Sequence, residues 1–94
     1  MNNTSSYTRC NLELRAAEYY ASIRKPEQEW QSIADLTPQL AEFEHRIGAR
    51  ECEHACQVLY SIDSDYLFRW GYYNRLVLMH EKLLGQLVNS YWQA

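Results

Sequence analysis

The side chains best equipped for chemistry are Cys52, His54 and Cys56, in the run Cys52-Glu53-His54-Ala55-Cys56. Two thiols four residues apart share one face of a helix, so with ligands from elsewhere they could open a zinc site or act as an oxidant-sensing pair. Against that, His54 points away from the cysteine face on a helix, and no Cys-x-x-Cys partner pair occurs to complete a ligand set. Cysteine as a small buried apolar residue is the plainer reading. His80 falls on an apolar helical stripe, where a hydrogen-bonded core or interface histidine is expected rather than a catalytic base. Glu42, Glu44, Glu51, Glu53, Asp63 and Asp65 make an acidic patch without the spaced oxygen ligands of a calcium loop, and so read as a solvated or docking face. Arg69-Trp70-Gly71-Tyr72-Tyr73-Asn74-Arg75 interleaves cations with aromatics as single-strand nucleic-acid platforms do, but Trp70 and Tyr73 are wanted for packing at a turn. Nothing suggests a Ser-His-Asp, Cys-His or paired-carboxylate enzyme, and no cofactor is expected.

The elements that must carry these residues are helical. Three Gly and two Pro in 94 residues are few, which disfavours a turn-rich β fold and disorder alike. The polar stretch 1–10 reads as a disordered tail and 11–94 as one domain, with Asn11 as an N-cap for a helix carrying Leu12, Ala16, Tyr19, Tyr20 and Ile23 inward. Pro26 opens a shorter segment with Trp30, Ile33 and Ala34 inward. Thr37-Pro38 opens a helix with Leu40, Phe43 and Ile47 on its buried stripe and Glu42, Glu44, His45 and Arg46 outside, ended by Gly48. Cys52, Ala55, Cys56, Leu59 and Ile62 form the buried face of a fourth helix. Asp63-Ser64-Asp65 reads as a turn, Tyr66 to Trp70 as a stub ended by Gly71. From Tyr72 to about Val88, Tyr73, Leu76, Val77, His80, Leu83, Leu84 and Leu87 form a stripe broad enough for two neighbours.

Net charge is −3, without the basic footprint of a nucleic-acid binder. Residues 1–26 hold four cations and two anions, 27–65 two cations and nine anions, and 66–94 three cations and one anion, so an acidic middle can face basic ends in the same molecule or in a neighbour. No signal-peptide core and no membrane-length apolar run are present, which points to the cytoplasm and to reduced thiols. The eight Tyr, three Trp and two Phe suit half-buried surfaces and protein interfaces.

Aligning Ala49-Arg50-Glu51-Cys52 with Trp70-Gly71-Tyr72-Tyr73 superposes Ala55 on Leu76, Leu59 on His80 and Ile62 on Leu83. Each stretch reads as the turn and second helix of a helical hairpin. Gly71, Tyr73 and Ala55 resemble the interhelix pattern of the tetratricopeptide repeat, with Arg50 where Gly is usual and Cys52 where Tyr is usual. The longer stretch from Ala16-Ala17-Glu18-Tyr19-Tyr20 through Asp35-Leu36-Thr37-Pro38-Gln39-Leu40 and Tyr66-Leu67-Phe68-Arg69-Trp70-Gly71 to Leu83-Leu84-Gly85 resembles the helical connector of bacterial signal-transduction ATPases of the NB-ARC and NACHT (STAND) type. The resemblance implies a scaffold or coupling role without ATP hydrolysis, since this chain has no Gly-x-x-x-x-Gly-Lys-[ST] loop.

The expectation is therefore an all-α array of about five helices in irregular tetratricopeptide-like hairpins, working in non-catalytic association with a protein partner, which could be a second copy of itself in a homo-oligomer. Tyr66, Arg69, Trp70, Tyr72, Tyr73, Arg75 and Trp92 are the expected contact residues. A helical metal-binding or redox-sensing protein using Cys52 and Cys56 is the alternative.

Overall fold

Helix formers run unbroken between the few Gly and Pro residues, and the chain follows that punctuation. The computed structural model describes residues 2–93, and the side chains of 9–88. It is 82% helical, with no strand among the described residues. Four α-helices, α1 (Asn2–Ser22), α2 (Thr37–Gly48), α3 (Cys52–Ile62) and α4 (Tyr73–Gln93), are joined by 3-10 turns at Glu27–Glu29 and Ile33–Leu36 and by a π-helical segment at Asp63–Phe68. Each α-helix packs on the next in the chain, and α4 also reaches α2.

The all-α class is as expected; the count of five is not. The segment after Pro26 is too short to offset the cost of nucleating an α-helix, and Ser32 is extended at φ −151° and ψ 170°. Two 3-10 turns take its place. They are pinned by Asp35, whose carboxylate accepts Lys25 Nζ at 2.7 Å and the backbone N–H groups of Gln31 and Ser32. The Lys25 hydrogen bond, followed by that of Gln31, holds the Asp35 carboxyl down at about 2. At the other end of the expectation, α1 starts at Asn2 and takes in residues read as a disordered tail. No Gly or Pro lies between Asn2 and Leu12, and extending an existing helix costs far less than starting one.

The core is built by α2, α3, the π-helical segment and the inner face of α4: Leu36, Phe43, Ala55, Val58, Leu59, Ile62, Leu67, Met79 and Leu83, with Trp30, Leu40, Ile47, Tyr66, Trp70 and Leu76 packed around them. Asp63-Ser64-Asp65 does not break the chain as expected. With no Gly or Pro after Arg50 until Gly71, α3 runs straight into the π-helical segment, whose wider turn keeps Leu67 fully buried.

The first helix attaches by polar groups. Leu12, Tyr19 and Ile23 were expected inside and are exposed; among the described side chains of α1, Ala17 is the one that is fully buried. The face that meets α2 carries Glu13, Ala17 and Tyr20, spaced 4-3, and Arg24, two residues past the helix end, continues the row. His45 Nδ1 lies 2.9 Å from Glu13 Oε2 and stacks on Tyr20. Arg24 pairs with Glu42, which also accepts Arg46 Nε at 3.2 Å, and Arg46 Nη1 reaches Glu51 at 2.5 Å. Glu42 and Arg46, assigned from sequence to the outer face of α2, are therefore buried, because α1 covers that face. Burial disfavours the Arg46 cation, but the Glu51 and Glu42 hydrogen bonds outweigh it and raise its pKa. Gln39, on the same side of α2, is fully buried with no partner for either amide atom among the described residues.

The two interhelix turns are copies of each other at an offset of 21 residues. Arg50 and Gly71 are left-handed, at φ 61° and φ 88°. Arg50 N–H donates to Ile47 O as Gly71 N–H does to Phe68 O, both at 3.0 Å, and Glu51 N–H donates to Arg46 O as Tyr72 N–H does to Leu67 O, both at 2.8 Å. These are the paired bonds of a Schellman cap. The cap that ends α2 thus uses Arg50 rather than Gly48; Gly48 instead lies under Glu13, where a Cβ would come within 2.5 Å of the carboxylate.

A side chain at 71 would meet open space, so substitution there is opposed by backbone conformation alone. Gly71→Val should cost about 1–3 kcal/mol in denaturant unfolding, and Arg50→Gly should gain about 0.5–1 kcal/mol because it relieves the same conformation in a non-glycine residue. Gln39→Met should stabilise by about 1–2 kcal/mol, since it keeps the shape and removes two unpaired polar atoms.

Candidate protein-interaction surface

Two apolar faces run along α4. The inner one, Leu76, Met79 and Leu83, closes the core. The outer one follows the spacing 4-3-4-3 through Tyr73, Val77, His80, Leu84 and Leu87, and its apolar members are 54%, 53%, 62% and 48% exposed in turn. That spacing is the a/d pattern of a helix seeking a second helix. The stripe read from the sequence joins Leu76 and Leu83 to the outer residues and leaves out Met79, which is buried; the structure divides the stripe, because α3 covers an arc of α4 that leaves its far side bare.

Phe68 projects from the π-helical segment beside this face and meets Tyr73 edge-on at 5.2 Å between ring centroids. Phe68, Tyr73, Leu76, Val77, His80 and Leu84 line an open apolar groove. Its polar groups are few: His80 Nε2 is 4.0 Å from Asp63 Oδ2, and Glu81 completes the lining.

The expected contact residues separate into two groups. Tyr66 and Trp70 are half-buried in a cluster with Trp30, at 4.9 Å for Trp30–Tyr66 and 5.5 Å for Tyr66–Trp70. Tyr66 OH donates to Glu27 Oε2 at 2.6 Å, which raises its pKa, and Trp30 Nε1–H donates to Lys25 O. This cluster clamps the 3-10 turns to the hairpin. Arg69, Tyr72, Tyr73 and Arg75 are exposed; Tyr73 sits on the groove, while Arg75 lines a separate cleft with Leu40, Glu44, Leu78, Met79 and Lys82. The side chain of Trp92 lies outside the described residues. Phe68, Val77 and Leu84 were not singled out from sequence as contacts, although the 4-3 spacing that unites the last two with Tyr73 was there to be read.

The acidic middle does meet the basic ends within one molecule, through Arg24–Glu42, Lys25–Asp35 and Lys82–Glu44, the last two at 2.7 Å. Glu42 and Glu51 are consumed by Arg46, so the acidic patch read from sequence is not a continuous face. Cys52 and Cys56 are half-buried on the core side of α3, and Cys52 Sγ–H donates to Gln86 Oε1 at 3.0 Å. His54 turns outward to within 3.6 Å of Glu51. The described residues bring no third metal-ligating side chain to the cysteines. No described helix is long and apolar enough to cross a membrane.

No family model, curated protein or solved structure matches the chain.

Replacing Cys52 and Cys56 together by Ala should cost about 1–3 kcal/mol through lost packing, with molar mass and metal content unchanged. One zinc per chain by elemental analysis, lost with either cysteine, would establish the metal-binding alternative instead.

Proposed function

We propose that the chain is a non-catalytic protein-association module that presents the outer face of α4 to a helical partner, in the scaffold or coupling role implied by its resemblance to the connectors of bacterial signal-transduction ATPases. The 4-3-4-3 row of exposed apolar side chains on α4 carries this reading, since single exposed hydrophobics are ordinary but a continuous helical seam beside an apolar groove marks an interaction site. The two superposable Schellman turns support the array component of the reading: each helical hairpin hands its last apolar face to the next helix, as repeat architectures do. In that frame the tetratricopeptide-like relationship extends to the turns and not to the spacing, because 21 residues replace the usual period of about 34.

A face kept for a partner contributes little to the folding of its own chain. In dilute solution, Leu84→Glu should change unfolding free energy by no more than about 0.5 kcal/mol, whereas Leu83→Glu, one residue away on the inner face, should cost about 3 kcal/mol or more or prevent folding. Equal damage from the two variants would show that the outer face belongs to the core and would overturn the reading.

A further inference from the structure

We propose that the partner of the α4 outer face is a second copy of this chain, docked antiparallel, so that Tyr73 of each copy lies opposite Leu84 of the other and Val77 opposite His80. This inference rests on the association reading above and names its partner.

The seam is complementary to itself in this direction. Antiparallel helices pair a positions with d positions; with the two-fold axis passing between Leu78 and Met79, every seam residue from Tyr73 to Leu84 meets another seam residue. Leu87 and Val88 of one copy then reach the end of the groove at Phe68 of the other. A parallel pair would instead set His80 against His80 and leave Glu81 facing aliphatic side chains. The antiparallel pair gives the Glu81 carboxylate an amide donor in Asn74 of the second copy, and the two-fold axis makes that contact twice. Both residues are exposed and form no side-chain hydrogen bond within their own chain among the described residues. The cations of the helix do not oppose the pairing, because Lys82 is turned to Glu44 and Arg75 lines the cleft on that same side.

The surface is large enough. Phe68, Tyr73, Val77, Leu84, Leu87 and Val88 are between 44% and 62% exposed, on the order of 500 Å² of apolar surface per copy, or about 1,000 Å² for the pair. That is the low end of specific interfaces, where association is weak and reversible, so chain concentrations on the order of micromolar to hundreds of micromolar bracket the test.

The test is molar mass by sedimentation equilibrium across that range, with circular dichroism on every variant. Wild type should run as a concentration-dependent dimer. Tyr73→Lys and Leu84→Glu should each weaken dimerisation at least tenfold while staying helical. The double variant should recover to within a few-fold of wild type, because an antiparallel pair sets the introduced ammonium of one copy against the introduced carboxylate of the other, and does so twice. A wild type that is folded but monomeric throughout overturns the second-copy proposal and leaves the association reading to another partner. Single variants that dissociate without rescue in the double variant overturn the antiparallel pairing. Masses beyond the dimer that fall on Tyr19→Lys overturn it too, by showing head-to-tail growth onto the exposed Leu12, Tyr19 and Ile23 of α1. Loss of helicity in Leu84→Glu is the failure of the association reading itself.

Discussion

The attachment of α1 turns on the carboxylate of Glu42. It is only 3% exposed, and a buried carboxylate is tolerated when cations and hydrogen bonds surround it. Arg46 supplies one cation from the next turn of α2, and Arg24 supplies the other from two residues past the end of α1. The guanidinium of Arg46 continues to Glu51, just past the left-handed Arg50. One ionic chain therefore links the stretch just after the first helix, the middle of the second and the turn into the third. Since the described side chains of α1 bury little apolar surface, the placement of this part of the helix depends on this chain and on Glu13, His45 and Tyr20 beside it. Removing Glu42 would leave Arg24 without its partner and the buried Arg46 guanidinium with Glu51 as its one remaining carboxylate.

This polar docking is why α1 was the element least visible in the sequence. Apolar periodicity assumes that a helix buries its greasy face, and α1 turns the face with Glu13, Ala17 and Tyr20 to α2 while Leu12 and Tyr19 stay outside. Where burial is apolar the pattern succeeded: Phe43, Leu59 and Ile62 are in the core, and α2 keeps the bounds set by Thr37-Pro38 and Gly48. The turn at Gly71 was also legible, since only Gly adopts its conformation freely. Arg50 adopts the same conformation against its preference, and nothing in its side chain announces this; only alignment with Gly71 does. The division of α4 into a covered and a bare face depends on where α3 lies across it, a tertiary fact that one helix's sequence does not hold.

The aromatic excess serves two ends. Trp30, Tyr66 and Trp70 join edge-to-face to hold an irregular linker that has no α-helix of its own, and the polar tips of Tyr66 and Trp30 are satisfied by Glu27 and Lys25. Phe68 and Tyr73 use the same edge-to-face geometry in the open, beside Val77 and Leu84. Residues two apart in the sequence, Tyr66 and Phe68, thus divide between a half-buried cluster and the open surface, because helical winding puts residues two apart on nearly opposite sides.

The π-helical segment gives that division a further meaning. A turn closed by bonds from i to i+5 holds about one residue more than an α-turn, so it acts as a phase shifter between α3 and everything after it. Rewinding Asp63–Phe68 as α-helix without losing a residue would rotate the following chain by about 100°, presenting a different side of α4 to the solvent without altering one residue of that helix, whereas losing one residue along with that rewinding would leave its phase nearly as it is. The winding of these six residues, and not their number alone, therefore fixes which side of α4 is bare while the α2–α3 core stays as it is.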